Sequence, residues 1–521
     1  MILKRLKDFD EIRGKNLIVL GGSRGYINEI AFEYSDFASH VALILSINTN
    51  LQESVLVGDR KVSVKSVSSF QQENTGFDAG NTAFLILDDY YKELFDAIKD
   101  TEFLDKDTIV YWYANHETAT ELNYREKYKD TPLQNIVIFR SGPHASEYVK
   151  GMDFSDNARA VFEYMLKAGY DKNYELVWIV KDPTEYEEKY RNHKNVNFIS
   201  WEWSDTEDKE KLDIYYRYLC LAKYFFFTDA YGFTRNCRSD QVRVQLWHGC
   251  GFKTRVNFVP CEHRYEYNIV VSKMYAKIHA DIYGLRSDQV LLTGYPKEDW
   301  IFEAPDINIL SLIHIPDAKR YILWLPTFRS TGGKLKELDQ YDMNSATGLP
   351  IADTWKRIEE LNSICEDSDT VIIVKLHPFQ KELEDVKHFS NLVFVSNKTL
   401  FNYDIPVNKL MPLTDALISD YSSAAVDYLQ LNRPVAFLVE DREKYKNSRG
   451  FVFDPIADWQ PGLAVYDFEG MCQYVKDVSE GKDPGGEIRQ KLYPKFHDFH
   501  DGNSSKRVVE AIIGGKPNLA R

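Results

Sequence analysis

Short apolar runs rich in β-branched residues alternate with amphipathic stretches of helical length along the whole chain. This alternation is typical of parallel sheets built from strand-helix-strand units, because parallel strands need a crossover connection before they can pair. Neither a low-complexity linker nor a repeat of solenoid period interrupts it. The sequence therefore predicts an α/β protein.

The length of 521 residues corresponds to about three domains of ordinary size. We predict a Rossmann-like accessory domain over residues 1–132, followed by two Rossmann-like halves over residues 133–305 and 306–521. Two successive halves of this kind favour a cleft between them, because open α/β sheets bind ligands beyond the carboxyl ends of their strands. This organisation resembles the outline of a GT-B type transferase.

The first block begins with the strand NLIVL, which leads into Gly21, Gly22 and Gly25. These glycines resemble the opening turn of short-chain dehydrogenases, where the backbone approaches a dinucleotide phosphate. The block contains no Y-x-x-x-K pair for hydride chemistry, so we favour glycines that only permit a tight strand-to-helix turn. A scaffold, a docking element for an acceptor or a membrane, and a degenerate nucleotide-binding domain all remain open as roles for this block.

Composition excludes several classes of protein. The chain has 64 basic and 79 acidic residues and a net charge of -15, which argues against broad contact with nucleic acid, because such contact needs a clustered positive surface. Its six cysteines form no C-x-x-C pair, so neither a disulfide framework nor a zinc ribbon is indicated. We expect reduced cysteines that mostly serve packing.

The N-terminal segment MILKRLKDFDEIRGK lacks the apolar core of a secretory signal. No stretch approaches the roughly 18 continuous apolar residues of a membrane span, so we expect a cytoplasmic protein. Lys4, Arg5 and Lys7 alternate with apolar residues here, which makes the segment a candidate contact with the cytoplasmic face of a membrane. The simpler interpretation is a frayed, polar first helix.

Two histidines stand at the ends of apolar strands. His248 follows the strand VRVQL and precedes Gly249, so a tight turn would present its imidazole to the cleft, and Lys253 lies just beyond. His377 leaves the strand VIIVKL, which Pro378 ends because proline cannot donate to a ladder. Both positions suit chemistry at the carboxyl edge of a sheet.

Two further strand ends carry groups suited to an anion. The strand ILWLP delivers Thr327 and Arg329, and arginine offers a planar donor fork that matches phosphate oxygens. The strand ALIS leads into Asp420, Ser422 and Ser423, which can cap a following helix whose N–H groups point to an anion. Together with the histidines, these groups describe a diphosphate site.

Four motifs occur in one order along the chain: WHGCGFK (247–253), PTFR (326–329), KLHP (375–378) and SDYSSAAVDY (419–428). In this order and at these intervals they resemble the CDP-glycerol glycerophosphotransferase family of the teichoic-acid polymerase and primase type. The segments RGFVFDPIADWQPG and SDNARAVFEYML are also similar to that family. The resemblance covers about residues 135–500, so the first block lies outside it.

The resemblance implies transfer of glycerol phosphate or ribitol phosphate from a CDP-activated donor to a hydroxyl of a teichoic-acid-like or capsular polymer or a lipid-linked acceptor, with release of CMP. The acceptor would lie on the half at 133–305 and the donor on the half at 306–521. His248 would be the general base, because imidazole titrates near neutrality. The other expected site residues are His377 as a second catalytic group, Arg329, Thr327, Ser422, Ser423 and Lys253 at the donor diphosphate, and Asp420 and Gly249 as supports.

We predict no obligatory cofactor or metal, although free Mg²⁺ could accompany the donor. Cys250 and Gly251 replace the threonine-proline common after the family's histidine-glycine, which bears on acceptor selectivity. Two alternatives stay open. A GT-B glycosyltransferase would share the fold and use a nucleotide sugar, and a non-catalytic polymer-binding or assembly protein would keep these residues for structural reasons.

Overall fold

The computed structural model describes most of the chain in separate segments. The described residues are 1–21, 37–46, 54–57, 60–73, 80–87, 91–101, 104–105, 107–113, 116–142, 151–228, 232–234, 236–254, 265–327, 345–376, 388–448, 450–515 and 519. Within them the strands form three separate sheets with helices between the strands, which confirms the predicted α/β class.

The first sheet has the strand order β1-β7-β6-β2-β3-β5-β4 in the described residues. All of its pairings are parallel except the β4–β5 pairing, which is antiparallel. Alternate residues of β2 enter two different cores, Leu17 and Val19 on one face and Ile18 and Leu20 on the other. Its strands are β1 (Ile2–Leu6), β2 (Asn16–Gly21), β3 (Val41–Ser46), β4 (Ser54–Val57), β5 (Arg60–Ser66), β6 (Thr82–Leu87) and β7 (Ile109–Tyr113).

The second sheet is wholly parallel, with the order β10-β9-β8-β11-β12-β13-β14 in the described residues. Counted from its own first strand the order is 3-2-1-4-5-6-7, so the direction of winding reverses between β8 and β11. A reversal of this kind opens a crevice at the carboxyl ends of the strands. The strands are β8 (Gln134–Ser141), β9 (Glu175–Val180), β10 (Val196–Ser200), β11 (Ala222–Thr228), β12 (Val242–Gln245), β13 (Tyr267–Val270) and β14 (Val290–Leu292).

The third sheet is also parallel and has the order β17-β16-β15-β18-β19-β20, which is 3-2-1-4-5-6 from its own first strand in the described part of the chain. That is the Rossmann order, with the reversal between β15 and β18. One face of this sheet shares a core with the second sheet, while the other packs under its own helices. The strands are β15 (Arg320–Trp324), β16 (Thr370–Val374), β17 (Leu392–Phe394), β18 (Ala416–Ser419), β19 (Val435–Leu438) and β20 (Leu463–Val465).

Helices cover the sheets, and several begin at a side-chain cap that the sequence supplies, such as Asp208, Thr354 and Asp467. The described α-helices are α1 (Phe37–His40), α2 (Val67–Glu73), α3 (Tyr91–Ile98), α4 (His116–Tyr128), α5 (Asp156–Lys167), α6 (Thr184–Tyr190), α7 (Lys209–Leu221), α8 (Lys273–Tyr283), α9 (Asn308–Leu312), α10 (Trp355–Asp367), α11 (Asn397–Asn402), α12 (Val407–Leu410), α13 (Ala424–Tyr428), α14 (Arg442–Ser448), α15 (Phe468–Ser479), α16 (Gly486–Phe496) and α17 (Ser504–Ile512). The described 3₁₀ helices are Phe9–Ile12, Tyr170–Lys172, Trp201–Asp205, Gly232–Thr234, Ser287–Gln289, Pro296–Phe302, Met411–Leu413, Leu429–Leu431 and Ile456–Trp459.

The N-terminal segment is a strand, so the expectation of a first helix there is wrong. Residues Ile2–Leu6 pair in parallel with β7 at the edge of the first sheet. Lys4 forms an ion pair with Glu11 at 2.6 Å, and Leu6 is buried. The alternation of basic and apolar residues therefore has the period of two that a half-buried edge strand requires.

Two helices pack against a predicted domain other than their own. Helix α4 precedes residue 132 but packs on α7 of the second unit, where Tyr124 stacks on Tyr216 with ring centroids 4.9 Å apart. Helix α17 at the end of the chain packs on α5, and Asp299 accepts hydrogen bonds at 2.8 Å from the backbone N–H groups of Ser504 and Ser505.

Cys220, Cys237, Cys250, Cys365 and Cys472 are all free thiols, which confirms the expectation for these five. Cys261 and the glycines at 22 and 25 lie outside the described residues. No helix in the described segments has the length and apolar character needed to cross a membrane.

Candidate active site

The loop after β12 presents His248 at the carboxyl edge of the second sheet. Asn157, at the start of α5, donates hydrogen bonds to the backbone carbonyls of Leu246 at 3.2 Å and Trp247 at 2.8 Å. Trp247 has a positive φ of 52°, and its backbone N–H donates to Gln245. These contacts hold the turn in place, and the His248 side chain is 44% exposed, as a group that meets substrate must be.

Asp156 is the partner of the His248 imidazole. Its Oδ2 lies 2.9 Å from Nδ1 of His248, and its Oδ1 lies 3.9 Å from Nζ of Lys297. Burial, the largest influence, raises the pKa of Asp156, but the charge of Lys297 and the hydrogen bond with His248 outweigh it and leave the pKa below its ordinary value. The carboxylate is therefore ionised at neutral pH.

Lys297 connects this pair to the other half of the molecule. Its Nζ lies 3.0 Å from Asp427 on α13 and also donates to the backbone carbonyl of His248. Lys297 is 12% exposed and Asp427 is 2% exposed. Burial raises the pKa of Asp427 although Lys297 opposes this effect, while for Lys297 the two carboxylates outweigh burial and raise the pKa. A charged chain thus crosses the cleft from Asp156 to Asp427.

A neutral polar cluster lies beneath Lys297. Burial, and after it the charge of Asp427, raises the pKa of Glu298 well above its usual value, which favours the protonated carboxyl group. Burial lowers the pKa of His497 to about 4; its Nε2 donates to the Val426 carbonyl, and its Nδ1 accepts from Gln430 at 2.9 Å. The charges of this region are therefore confined to Asp156, Lys297 and Asp427 among the groups described here.

The histidine loop packs directly on the serine motif of the third sheet. Gly249 has φ 156°, and a Cβ added there would lie 3.1 Å from the Ser423 hydroxyl oxygen. The Ser422 hydroxyl accepts a hydrogen bond from the Ala424 N–H at 3.3 Å, whereas Ser423, the N-cap residue, makes no side-chain capping bond. The helix that follows, α13, is only five residues long, so its dipole is weaker than that of a long helix.

Thr327 and Asp420 lie at the reversal point of the third sheet. The backbone N–H of Thr327 lies 2.9 Å from Oδ2 of Asp420, and its hydroxyl also donates to Asp420. The Tyr421 N–H donates to Asp420 at 2.6 Å. Thr327 is 2% exposed and Asp420 is fully buried. This geometry favours a supporting role for Asp420, which holds the turn, and a structural role for Thr327 over direct contact with a diphosphate.

Lys253 lies where the two halves meet. It forms an isolated antiparallel bridge with Phe451, within the RGF segment noted from the sequence. On either side, the Thr254 N–H donates to the Gly450 carbonyl at 3.2 Å and the Val452 N–H donates to the Phe252 carbonyl at 2.9 Å. The W-H-G segment and the RGF segment therefore form one surface.

His377 and Arg329 lie outside the described residues, so their predicted roles stay predictions. Two residues before His377, burial lowers the pKa of Lys375 to about 8. Its Nζ donates to the Leu376 carbonyl at 3.0 Å, and its side chain lines a cavity between the two halves.

This cavity has a volume of about 220 Å³. Its walls combine charged or amide groups with aromatic rings from both halves, including Asp156, Lys297, Lys375, Asn397, Asn408 and Phe401. A site of mixed polar and aromatic lining suits a small polyol or nucleotide fragment.

The sequence missed Asp156, Lys297 and Asp427. Asp156 and Asp427 do lie inside two of the motifs it identified, SDNARAVFEYML and SDYSSAAVDY. Lys297 lies shortly after the end of β14, so its position near a strand end is the sequence feature that could have identified it. Cys250 is buried, and its sulfur lies 3.3 Å from the Tyr295 hydroxyl; its bearing on acceptor selectivity stays a prediction.

A family model matches most of the chain. The family model described as "CDP-Glycerol:Poly(glycerophosphate) glycerophosphotransferase" matches residues 133–514. The chain is 26% identical over 401 residues to the teichoic acid ribitol-phosphate polymerase TarL of Staphylococcus aureus (strain NCTC 8325 / PS 47), a match that covers 73% of this chain and 62% of TarL. It is 24% identical to the teichoic acid glycerol-phosphate transferase of the same strain, over 73% of this chain and 94% of that protein.

The solved structure of the wall teichoic acid polymerase TagF has a similar fold. The TM-score is 0.57 at 21% sequence identity, and the superposition covers 76% of this chain and 94% of the TagF chain in that structure. This likeness supports a GT-B type arrangement of the second and third sheets. The chain spans about three fifths of the length of TarL.

Proposed function

Because the chain belongs to the CDP-glycerol:poly(glycerophosphate) glycerophosphotransferase family, we propose that it is a polyol-phosphate transferase. The donor would be CDP-glycerol or CDP-ribitol, and the acceptor a hydroxyl of a teichoic-acid-like or capsular polymer or a lipid-linked precursor. The observation that carries the proposal is the His248–Asp156 pair at the mouth of a cleft between two Rossmann-like sheets. The names of the relatives, which include ribitol-phosphate and glycerol-phosphate enzymes, support both donors.

In the proposed reaction an acceptor hydroxyl attacks the donor phosphorus that bears the polyol. A new P–O bond forms to the acceptor oxygen, and its proton passes to Nε2 of His248. The bond between this phosphorus and the bridging oxygen of the diphosphate breaks, and CMP leaves with the electron pair. Such phosphoryl transfer depends on positioning and on groups that stabilise charge on the leaving phosphate.

The donor diphosphate would lie at the serine motif. Ser422 and Ser423 are partly exposed there, and Lys253 contributes a cation from the neighbouring segment. We assign Arg329 and His377 to the same anion from the sequence. With these cations present, we propose that Mg²⁺ accompanies the donor in solution and is not a resident ion of the protein.

The first sheet would belong to an accessory Rossmann-like domain. It could present the acceptor or contact the cytoplasmic face of a membrane, and its exposed edge strand β1 carries Lys4, with Ile2 56% exposed. We propose this role on charge and exposure together, since lipid surfaces attract basic residues beside apolar ones.

A donor panel tests the function. The full chain is incubated with an acceptor and with CDP-glycerol, CDP-ribitol or a set of UDP and GDP sugars, and nucleotide release is measured. We expect CMP release from a CDP-polyol that depends on acceptor. Turnover with a nucleotide sugar alone would instead support a glycosyltransferase, and an inert protein that binds polymer would support a non-catalytic assembly role.

A further inference from the structure

Asp156 occupies an unusual backbone position for the first residue of a helix. Its φ is 59°, in the left-handed region that disfavours most L residues but that aspartate and asparagine tolerate. Oδ1 accepts a hydrogen bond from the Asn157 N–H at 2.8 Å, and Oδ2 lies 2.9 Å from Nδ1 of His248. The unfavourable backbone therefore places a carboxylate against one particular nitrogen of the imidazole.

This contact defines the tautomer of His248. The pKa of Asp156 is lowered because Lys297 and His248 outweigh burial, so its carboxylate is ionised and can only accept hydrogen bonds. Nδ1 of His248 must then donate and carry a proton. In the neutral ring Nε2 is left with the lone pair, and Nε2 is the atom that can take a proton from an acceptor hydroxyl.

The carboxylate is in turn held by Lys297 of the same half, which is itself paired with Asp427 of the opposite half. Lys297 lies 3.9 Å from Asp156 and 3.0 Å from the buried Asp427. Its ammonium group also donates to the His248 backbone carbonyl. Among the residues that the structure describes, Asp156 from α5 and Lys297 from the 3₁₀ helix are charged groups beside the histidine, and Asp427 of α13 lies behind Lys297.

We propose that Asp156 is a positioning residue, which holds His248 in the Nδ1-protonated tautomer and stabilises the imidazolium formed when Nε2 accepts the proton. This inference rests on the proposed function of His248 as the base. An aspartate that orients the histidine in this way both selects the reactive nitrogen and offsets the charge that develops on the ring.

Two substitutions separate orientation from charge. Asp156→Asn tolerates the left-handed backbone and keeps an oxygen that can accept from Nδ1, but it removes the charge. Asp156→Gly also tolerates the backbone and removes the whole side chain. The matched control is Asp208→Asn, which removes a carboxylate from the start of another helix, α7, where Asp208 caps backbone N–H groups.

The first measurement is the ¹⁵N NMR spectrum of the full chain labelled in histidine, with the His248 signals assigned by their loss in His248→Gln. We expect the tautomer with Nδ1 protonated in the parent and in Asp208→Asn, and a larger share of the tautomer with Nε2 protonated in Asp156→Gly.

The second measurement is the pH dependence of nucleotide release. In Asp156→Gly, kcat should fall by about tenfold to a hundredfold, with an unchanged donor KM and an acid limb moved to lower pH; Asp156→Asn should be intermediate.

The two readouts distinguish the possible failures. An inactive parent with every CDP-polyol donor would contradict the proposed function, and the tautomer would still be measured. A parent ring protonated on Nε2, or a folded Asp156→Gly protein with the parent's tautomer and kcat, would overturn the inference about Asp156.

Discussion

His248 and the donor-side groups meet different atoms in the proposed reaction, and single-residue experiments can separate them. An uncharged acceptor hydroxyl would face the His248 ring, whereas a phosphate that gains charge would face His377 and Arg329. A base must begin neutral, while a group that stabilises a leaving phosphate works best when it is charged. The pairing of His248 with an ionised Asp156 at 2.9 Å suits the first of these tasks.

We expect His248→Ala to abolish transfer and to leave donor binding nearly unchanged, because the ring is assigned to the acceptor hydroxyl. Loss of a general base commonly costs about a hundredfold to ten thousandfold in rate. CMP release and donor affinity are measured on the folded variant. Full activity in His248→Ala would exclude it as the base.

His377→Ala should impair both donor binding and turnover, because this ring is assigned to the donor phosphates. In the parent, the rate should fall at low pH as His248 becomes protonated and at high pH as His377 loses its proton, which gives a bell-shaped profile where chemistry limits the rate. Normal donor binding together with normal turnover in His377→Ala would leave KLHP as a strand end without a catalytic role.

Arg329→Ala should chiefly weaken donor binding. A charge-assisted hydrogen bond contributes about 1.5 to 3 kcal/mol, which corresponds to about tenfold to a hundredfold in affinity. Calorimetric titration with a CDP-polyol measures the change, and Arg357→Ala is the control because Arg357 pairs with Asp353 on the partly exposed face of α10. Equal donor affinities in Arg329→Ala and Arg357→Ala would show that Arg329 does not bind the donor.

At the scale of elements, the short segment Pro296–Phe302 does the most to connect the sheets. Lys297 forms an ion pair with Asp427 of α13, and Glu298 accepts a hydrogen bond from Gln430. Asp299 accepts a hydrogen bond from the Ser504 N–H at the start of α17. Each contact joins residues far apart in the chain. Its position after β14 is therefore held by long-range contacts and not by its own helical propensity.

Lys297→Met should destabilise the protein by about 3 to 5 kcal/mol, because removing one partner of a buried ion pair leaves the other charge uncompensated. Urea unfolding measures the loss. Lys277→Met is the control, since Lys277 is 81% exposed in its pair with Asp281 and should change stability by less than about 0.5 kcal/mol. Adding Asp427→Asn to Lys297→Met should restore part of the loss, and no restoration would contradict the pairing.

The buried His497 should make the fold sensitive to acid. Burial lowers its pKa from 6.5 to about 4, so the folded state binds this proton less readily than the unfolded state. Its contribution to stability is present above the unfolded pKa and is lost as pH falls from about 6.5 to about 4, by roughly 3 kcal/mol in full. Unfolding at pH 7.5 and pH 5 should show a smaller pH dependence in His497→Gln than in His388→Gln, whose histidine is exposed; identical dependence would contradict this account.

The sequence predicted the strands of the second and third sheets well but missed the contacts between them. Strands buried on both faces read as continuous apolar runs, which is why the strands in VIIVKL and ALIS are recognisable from the sequence. Lys297 looked like any residue after a strand, because its partner Asp427 is distant in sequence. An ion pair between residues far apart in the sequence leaves no local sequence pattern. The Asp156–His248 pair went unrecognised for the same reason, since its residues are 92 positions apart.

At the scale of the whole molecule, helix α4 shows that the boundary at residue 132 does not follow the packing. Arg125 is buried and donates to the Leu219 carbonyl at 2.9 Å and to Gln241 at 3.0 Å, both in the second unit. The helix was assigned to the first block because its partners follow about a hundred residues later. We therefore place the usable boundary of the first block before α4.

Two truncations test this boundary. Removing residues 1–113 should leave a folded protein that turns over donor on a short soluble acceptor but acts poorly on the natural one. Removing residues 1–132 should give a less stable protein, because the buried Gln241 and Leu219 lose Arg125. Thermal unfolding and CMP release are measured on both. A folded 114–521 protein without any CMP release would place the first block in the active site.

The paired segments at 252–254 and 450–452 bear on how substrates enter and leave. Two backbone hydrogen bonds join the halves here, one from the Thr254 N–H to the Gly450 carbonyl and one from the Val452 N–H to the Phe252 carbonyl. Phe252 also packs against the rings of Phe437 and Phe453 in the third unit. A seam of this kind resists sliding and separation but permits bending about its own axis. We therefore expect any relative motion of the two halves to be a rotation about this seam and not a sliding of one half past the other.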